Sequence, residues 1–258
     1  MTSDPDLFRK PDAYEKFMGR YSRPLAHEFA LAAAVASSER VLDVGCGTGA
    51  LAAVLAAIVG QEHVAGVDPS EPFVEQTRER LPGADVRVGP AEALPFGDDE
   101  FDRALSQLVF HFVDDPAAAV AEMARVTRPG GLVAACVWDF TGGMRMMRGF
   151  WDAARATDPA APDEAERFGG GPGQLARLWR ESGLRDVVDS SLTVSTRYHD
   201  FDELWDSFLG GVGPVGVYAA SLDGEMREAV RHAFRRNIGS PVGAFDLAAV
   251  AWCATGIV

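Results

Sequence analysis

Short β-rich runs alternate with segments suited to helices in the first half of this 258-residue chain, and this alternation constrains the fold more than any other feature. The β-rich runs lie at 40–44, 63–67, 84–88, 101–106 and 131–137, and the helical segments between them lie at about 49–60, 71–81 and 116–128. Strands that alternate with helices form a parallel sheet that is covered on both faces. We therefore predict an α/β fold built on a doubly wound sheet.

The alternation is less regular on both sides of this core. Residues 11–36 have helical spacing, and Pro24 predicts a break into two pieces. After the core we predict a strand at 187–197, two helices near 201–210 and 223–237, a flexible loop over a cleft at 210–216 ("GGVGPVG"), and a last strand in "LAAVAWCAT". These elements predict one domain in three parts: a helical N-terminal cap (1–37), a ligand-binding core (38–140), and the rest of the sheet with a lid insertion (141–258).

The first β-rich run ends in three glycines, in "VLDVGCGTG". Glycines let a ligand approach the backbone, and the free amides at the start of the next helix attract polar groups. Gly45, Gly47 and Ala50 also satisfy the dinucleotide fingerprint, but the carboxylate of Asp43 just before the turn favours a cationic ligand over a pyrophosphate. Asp68, at the end of the second run, is placed to accept the hydroxyls of a ribose. Together these features predict an adenosine-containing ligand and leave an NAD(P)-dependent oxidoreductase open.

Four motifs follow one another along residues 38–140: "VLDVGCGTG", "GVDPS", "AEALPFGDDEFDRALS" and "EMARVTRPGGLVAACVWD". In this order and spacing they resemble the class I S-adenosylmethionine-dependent methyltransferases, in particular the ubiquinone and menaquinone biosynthesis-like (type 11) branch. The resemblance implies a Rossmann-like, seven-stranded, mostly parallel sheet with an antiparallel final strand. It also implies S-adenosyl-L-methionine as the cofactor and methyl transfer to a small organic molecule.

The resemblance assigns expected roles to residues of this chain. The methionine part of the cofactor would be surrounded by the glycine loop, with Asp43, Gly45, Cys46, Gly47 and Gly49. The ribose and adenosine side would be held by Asp68 and Pro69 in the turn after the second strand, and the adenine would lie against Ala91 and Glu92 of the third motif. The sulfonium and the acceptor would face Ser106 and Gln107 at the end of the fourth strand. Pro90 stands where the family often has Asp, and proline has no side-chain acceptor for the adenine amino group. That contact is therefore expected from Glu92 or from a backbone carbonyl.

Two further assignments have alternatives. In "YEKFMGRYSRPLA" the resemblance implies that Tyr14 covers the site and that Arg20 pairs with the methionyl carboxylate, whereas an amphipathic docking helix with an exposed Arg20 fits the same residues. His111 is the candidate general base if the acceptor must lose a proton, and a packed or capping histidine between two phenylalanines is the alternative. Met and aromatic side chains of the third part either line an apolar acceptor pocket or form ordinary core.

Composition limits the partners and the location. The formal net charge of −14 argues against nucleic acid and anionic membrane surfaces as partners. There is no apolar run of the ~18 residues that a membrane span needs and no apolar signal core in "MTSDPDLFRK", so the expected location is the cytoplasm. The three cysteines and five histidines show no disulfide framework or metal-ligand spacing. A third hypothesis is that the chain is a non-catalytic relative that keeps the fold as an interaction module. Pro90 is the one residue that favours this hypothesis.

Overall fold

Seven strands form a single sheet in the order β3-β2-β1-β4-β5-β7-β6 in the computed structural model, which describes residues 11–258. The first ten residues of the predicted N-terminal cap lie outside this range. The strands are β1 (Val41–Val44), β2 (Val64–Asp68), β3 (Asp85–Val88), β4 (Phe101–Gln107), β5 (Thr127–Trp138), β6 (Arg185–Tyr198) and β7 (Phe245–Ile257). The first five strands pair in parallel, and β7 is antiparallel to both β5 and β6. The predicted fold, including the antiparallel final strand, is confirmed.

Ten α-helices connect and cover the strands in the described part of the chain. They are α1 (Pro11–Tyr14), α2 (Arg20–Ala32), α3 (Ala50–Val59), α4 (Glu71–Arg80), α5 (Pro116–Val126), α6 (Arg145–Thr157), α7 (Gln174–Glu181), α8 (Phe201–Phe208), α9 (Gly213–Ser221) and α10 (Gly224–Asn237). A π-helical turn, Glu15–Gly19, joins α1 to α2. A 3₁₀ turn, Gln61–His63, precedes β2.

Strands β1 and β2 are buried along their whole length, which explains why their sequences are mostly apolar. One hydrophobic cluster joins α2, α3, α6 and α8 to one face of the sheet, and a second cluster joins α5 and α7 to the other face. A parallel sheet with both faces covered requires this kind of sequence, because neither face of a strand contacts water.

The order of the strands reverses beside β1, and this reversal positions the site. The chain runs outward from β1 through β2 to β3 and then crosses back to place β4 on the other side of β1. In open α/β sheets, ligands bind in the crevice at the carboxyl ends of the strands where the order reverses. The loops that follow β1, β2, β3 and β4 all meet at that edge.

Two predictions about the helices are wrong. Pro24 lies inside α2 and does not divide the helix. The buried face formed by Tyr21, Leu25 and Phe29 continues on both sides of the proline, so packing outweighs the loss of one backbone hydrogen bond. The segment 210–216 is a loop only as far as Val212, because Pro214 occupies the first turn of α9. A proline in that position is favourable, since the first amides of a helix have no intrahelical acceptor.

Two cysteines that are far apart in the sequence lie side by side in the sheet. Cys136 of β5 and Cys253 of β7 are opposite each other in register, and both are buried free thiols. Burial raises the pKa of the Cys253 thiol to about 11, so both thiols are expected to stay protonated at neutral pH. Within residues 11–258, no helix is both long enough and apolar enough to cross a membrane.

Candidate functional site

A cavity of about 350 Å³ opens at the carboxyl ends of the central strands. We divide its lining into two named parts. The glycine-loop half follows β1, β2 and β3 and contains Gly45, Gly47, Asp68, Pro69, Ser70, Gly89, Pro90, Ala91 and Glu92. The aromatic half follows β4 and β5 and includes parts of α6 and α9; it contains Gln107, Leu108, His111, Phe112, Trp138, Phe140, Met147, Glu164, Val212 and Val215.

The glycine loop has a backbone conformation that other residues rarely adopt. Gly45, Gly47 and Gly49 have φ values of +74°, +53° and +81°. A Cβ atom on Gly45 would lie 2.9 Å from Cγ1 of Val109, and closer still to its Cγ2. The amide of Gly45 donates to the carbonyl of Val67 on β2 at 2.7 Å, which holds the loop against the sheet. The loop therefore exposes main chain rather than side chain to the cavity.

Asp68 joins two of the loops that line the cavity. Its carboxylate accepts hydrogen bonds from the amide of Gly47 at 2.9 Å and from the amide of Ser70 at 2.8 Å. Burial raises the pKa of Asp68 to about 6, and the two amides oppose that rise. Each oxygen keeps a lone pair beyond these two bonds, so the carboxylate is able to accept hydroxyl groups from a ligand in the cavity.

Asp43 lies beneath the glycine loop and outside the cavity lining. It is 1% exposed, and neither carboxylate oxygen makes a hydrogen bond of normal geometry with the described residues. Burial raises the pKa of Asp43 to about 8; the amide of Ala52 opposes this rise and the charge of Asp68 adds to it. A buried carboxyl group without a partner is stabilised as the anion when a positive charge is brought close to it.

The N-terminal helices cover the glycine loop. The hydroxyl of Thr48 in that loop donates to the carboxylate of Glu15, which also pairs with Arg23. The ring of Tyr14 lies 5.6 Å from the ring of Phe73 on α4, and Tyr14 lines the cavity. Burial raises the pKa of the Tyr14 hydroxyl, and the nearby carboxylates of Glu15, Asp68 and Asp43 add to this effect. The phenol is therefore neutral over the physiological range.

Arg20 is placed away from the cavity. Its guanidinium donates to Glu203 of α8 at 2.6 Å and lies over the ring of Tyr198, 4.3 Å from the centroid. Arg20 thus ties α2 to α8 and β6, and it is not brought to the position that a methionyl carboxylate would require. The side chain lies on the face of α2 turned toward these two elements.

The structure brings together most, but not all, of the residues singled out in the sequence. Those that line the cavity are Tyr14, Gly45, Gly47, Asp68, Pro69, Ala91, Glu92, Gln107 and His111. Cys46, Gly49 and Ser106 support the loops from behind. Cys46 packs with Val74 and Val86, and the Ser106 hydroxyl donates to the Val44 carbonyl at 3.0 Å.

Glu92 links the loop after β3 to the loop after β4. Its carboxylate accepts from the amide of Asp114 at 3.2 Å. An adenine lying here would meet the backbone around Pro90 and Ala91 as well as this carboxylate. Both expected contacts for the adenine amino group, Glu92 and the backbone near Pro90, therefore belong to residues that line the cavity.

His111 is buried in the aromatic half, and its tautomer follows from its contacts. Its Nδ1 lies 2.7 Å from the carbonyl oxygen of Phe168, and because a carbonyl only accepts, Nδ1 carries the proton. Nε2 is then a lone-pair acceptor, and it makes no hydrogen bond of normal geometry within residues 11–258. Burial lowers the pKa of His111 to about 4, and the charge of Arg167 adds to this effect while the carbonyl of Phe168 opposes it. The imidazole is neutral at physiological pH.

Glu164 is a cavity residue that the sequence did not reveal. It is 2% exposed, and one carboxylate oxygen accepts from the indole of Trp151 at 3.0 Å. Burial raises the pKa of this carboxyl group. In the sequence, Glu164 stands between Asp163 and Glu166 in an irregular segment, so no periodicity separates this buried acid from the partly buried Asp163 and the exposed Glu166.

The core of the chain is similar to known proteins. Residues 42–135 match a family model described as a methyltransferase domain. An uncharacterized 37.1 kDa protein in transposon TN4556 of Streptomyces fradiae is 36% identical over 168 residues, which covers 63% of this chain and 47% of that protein. A demethylmenaquinone methyltransferase of Clavibacter sepedonicus is 40% identical over 108 residues, which covers 41% of this chain and 43% of that protein. The chain spans about half the length of the curated relatives it matches.

The fold is shared with solved structures over nearly the whole chain. The crystal structure of the YcgJ protein from Bacillus subtilis superposes with a TM-score of 0.57 at 21% identity, covering 92% of this chain and 97% of that one. The similarity therefore includes β6, β7 and the helices around them, which lie beyond the matched family segment.

Proposed function

We propose, from the match of residues 42–135 to a methyltransferase-domain family model, that the protein transfers the methyl group of S-adenosyl-L-methionine to a small organic molecule. The observation that carries the proposal is the glycine loop, which exposes backbone to a cavity lined by Asp68 and lies directly above the buried carboxyl group of Asp43. A cationic ligand that also bears a ribose matches both carboxylates. A dinucleotide brings a pyrophosphate close to Asp43, which is unfavourable.

The residues present fit this cofactor. The buried carboxyl group of Asp43 beneath the loop favours a positively charged ligand above it, the glycine loop offers close approach to the backbone, and Asp68 offers lone pairs for the ribose hydroxyls. Pro69 and Ala91 offer apolar contact for an adenine ring. When bound, S-adenosyl-L-methionine supplies an electrophilic methyl group on a positively charged sulfur.

The aromatic half of the cavity would hold the methyl acceptor. Its walls are mainly aromatic and aliphatic, and Phe140 stacks on His111 with 4.3 Å between the ring centroids. Such walls exclude water and hold a flat or aliphatic molecule in one orientation, and orientation alone contributes up to ~7–11 kcal/mol in well-aligned displacements. We assign His111 Nε2 as the atom that accepts a hydrogen bond, and where needed a proton, from the acceptor.

The finer parts of the proposal concern partners and location. We propose a small molecule rather than a nucleic acid as the substrate, since the net charge of −14 repels phosphate backbones. We also propose the cytoplasm as the location, because the three buried free thiols suit a reducing compartment.

A calorimetric experiment tests the function. S-adenosylhomocysteine and NADH are titrated separately into the purified protein, and we expect saturable heat from the first and none from the second. Asp68→Ala should weaken S-adenosylhomocysteine binding by about tenfold or more, because a carboxylate that accepts hydroxyl groups is lost. Glu71→Ala, which removes an exposed carboxylate three residues away, is the matched control. Heat from NADH alone would refute the proposal.

A further inference from the structure

Four buried polar atoms in the aromatic half of the cavity make no hydrogen bond with the described residues. They are Gln107 Oε1, His111 Nε2, Trp138 Nε1 and Glu164 Oε1. A buried polar atom without a partner costs roughly 1–3 kcal/mol. Four such atoms, all on residues that line one cavity, therefore indicate which polar groups a molecule bound there carries.

Three of these atoms are acceptors when Glu164 is ionised, as the contacts of their own side chains indicate. The amide nitrogen of Gln107 donates to the carbonyl of Ser22 at 3.0 Å, which identifies the unpartnered atom as its oxygen. The proton of His111 is on Nδ1, which leaves Nε2 with its lone pair. Glu164 Oε1 belongs to a carboxylate whose other oxygen is fixed by Trp151. The indole of Trp138 is the single donor among the four.

Arg167 does not satisfy Glu164. Its Nε lies 3.3 Å from Oε1, but the two groups do not have hydrogen-bond geometry. The guanidinium is held elsewhere: it lies 5.1 Å from the centroid of the Phe112 ring and donates to the carbonyl of His111 at 3.3 Å. The positive charge of Arg167 partly offsets the negative charge of Glu164. Glu164 lines the cavity, whereas Arg167 does not.

We propose that Glu164 selects the methyl acceptor: its free carboxylate oxygen receives a hydrogen-bond donor of the acceptor, a hydroxyl or an amine, and excludes molecules that are anionic at that position. The inference rests on the proposed function, since it names the acceptor chemistry of the same site. A donor group of a bound molecule satisfies an acceptor that otherwise has no partner. An anion placed there faces three acceptors in a dry cavity, where like charges and lone pairs are poorly screened.

The test uses three ring compounds that differ only in the polar group: benzyl alcohol, benzylamine and benzoate. Each is titrated into the full-length protein saturated with S-adenosylhomocysteine, and dissociation constants are measured by ligand-observed NMR. We expect benzyl alcohol or benzylamine to bind at least tenfold more tightly than benzoate. The tighter of these two compounds identifies the donor as a hydroxyl or an amine.

Glu164→Gln provides the decisive comparison. The glutamine oxygen still accepts from Trp151, so the fold is expected to survive, while the cavity now meets an amide donor. We expect the preference for donors over benzoate to fall by about tenfold, the usual size of a hydrogen bond to a charged group. Glu166→Gln, an exposed carboxylate in the same segment, should leave the preference unchanged.

Three results would overturn the assignment of Glu164. The first is that benzoate binds as tightly as the two donor compounds, and the second is that Glu164→Gln keeps the wild-type preference. The third is that none of the compounds binds, although the protein does bind S-adenosylhomocysteine. Failure of the proposed function gives a different result, because S-adenosylhomocysteine itself then does not bind.

Discussion

The contact between Gly45 and Val109 determines how the glycine loop sits against the end of β4. A methyl group at position 45 collides with Val109, which lines the cavity, whereas a methyl group on Gly130 meets nothing within 4 Å. Both glycines have positive φ values, +74° and +80°, so both substitutions carry the same backbone strain. We predict that Gly45→Ala lowers the thermal midpoint and S-adenosylhomocysteine affinity more than Gly130→Ala does.

The Gly45→Ala prediction is checked with a double variant. Overpacking of this kind costs about 1–3 kcal/mol. Val109→Ala should relieve the collision, so the pair Gly45→Ala, Val109→Ala should be less destabilised than the sum of the two single changes, as measured by chemical denaturation. Strictly additive losses would show that the collision is not the cause.

The raised pKa of Asp43 has a consequence for pH dependence. A folded pKa of about 8, against 3.8 in the unfolded chain, means that the folded state binds the extra proton between these values. The free energy of unfolding of the ligand-free protein should therefore fall as pH rises toward 8, by at most about 1.4 kcal/mol per pH unit from this group. Above about pH 6, where Asp68 is largely ionised, Asp43 is the larger contributor of the two.

Asp43→Asn isolates this effect. The variant keeps the shape of the side chain and removes the titration, so its stability should change less than that of the wild type between pH 6 and 8. In the wild type, S-adenosylhomocysteine affinity should rise over the same interval, since its ammonium group favours the ionised carboxyl group. Asp114→Asn, at an exposed position, is the control. A wild-type affinity that is flat across this interval would contradict an ammonium contact with Asp43.

At the scale of elements, the sequence predicts the core of the sheet well and the added helices less well. Every predicted strand is present, and the buried parallel strands β1 and β2 have distinctive apolar runs. The glycine content of 210–216 predicts a loop, although Pro214 is a favourable residue in the first turn of α9. Pro24 predicts a break, because local sequence does not show that the helix is held by packing on both sides. The burial of Glu164 is likewise a tertiary effect that local sequence does not show.

A side-chain hydrogen bond joins the N-terminal helical segment to the glycine loop. Thr48 donates to Glu15 in the π-helical turn, and the same carboxylate pairs with Arg23. Thr48→Val removes the hydroxyl with little change in shape. We predict a stability loss of about 1 kcal/mol and faster release of S-adenosylhomocysteine, measured by stopped-flow fluorescence. Thr157→Val, which removes a hydroxyl that donates within α6, should not change the release rate.

At the scale of the whole molecule, the cavity is assembled from segments far apart in the sequence. The glycine-loop half comes from within the matched segment 42–135, whereas Tyr14, Trp138, Glu164 and the start of α9 lie outside it. The motifs therefore predict the cofactor side of the cavity, whose residues follow consecutive strands. On the acceptor side the sequence predicts only Gln107, at the end of β4, and His111, which follows it; Trp138, Glu164 and the start of α9 share no spacing with them and meet them only after the chain has folded.

This division predicts two separate responses in hydrogen exchange. S-adenosylhomocysteine alone should slow exchange in residues 45–49, 68–70 and 89–92 and in the turn Glu15–Gly19, because it contacts the glycine-loop half and the helix that covers it. Residues 212–215 should become protected only when a bound ring compound also fills the aromatic half. The edge strand β6, which does not line the cavity, should not change. Protection confined to residues 42–135 under both conditions would mean that the N-terminal helices and α9 do not close over the ligands.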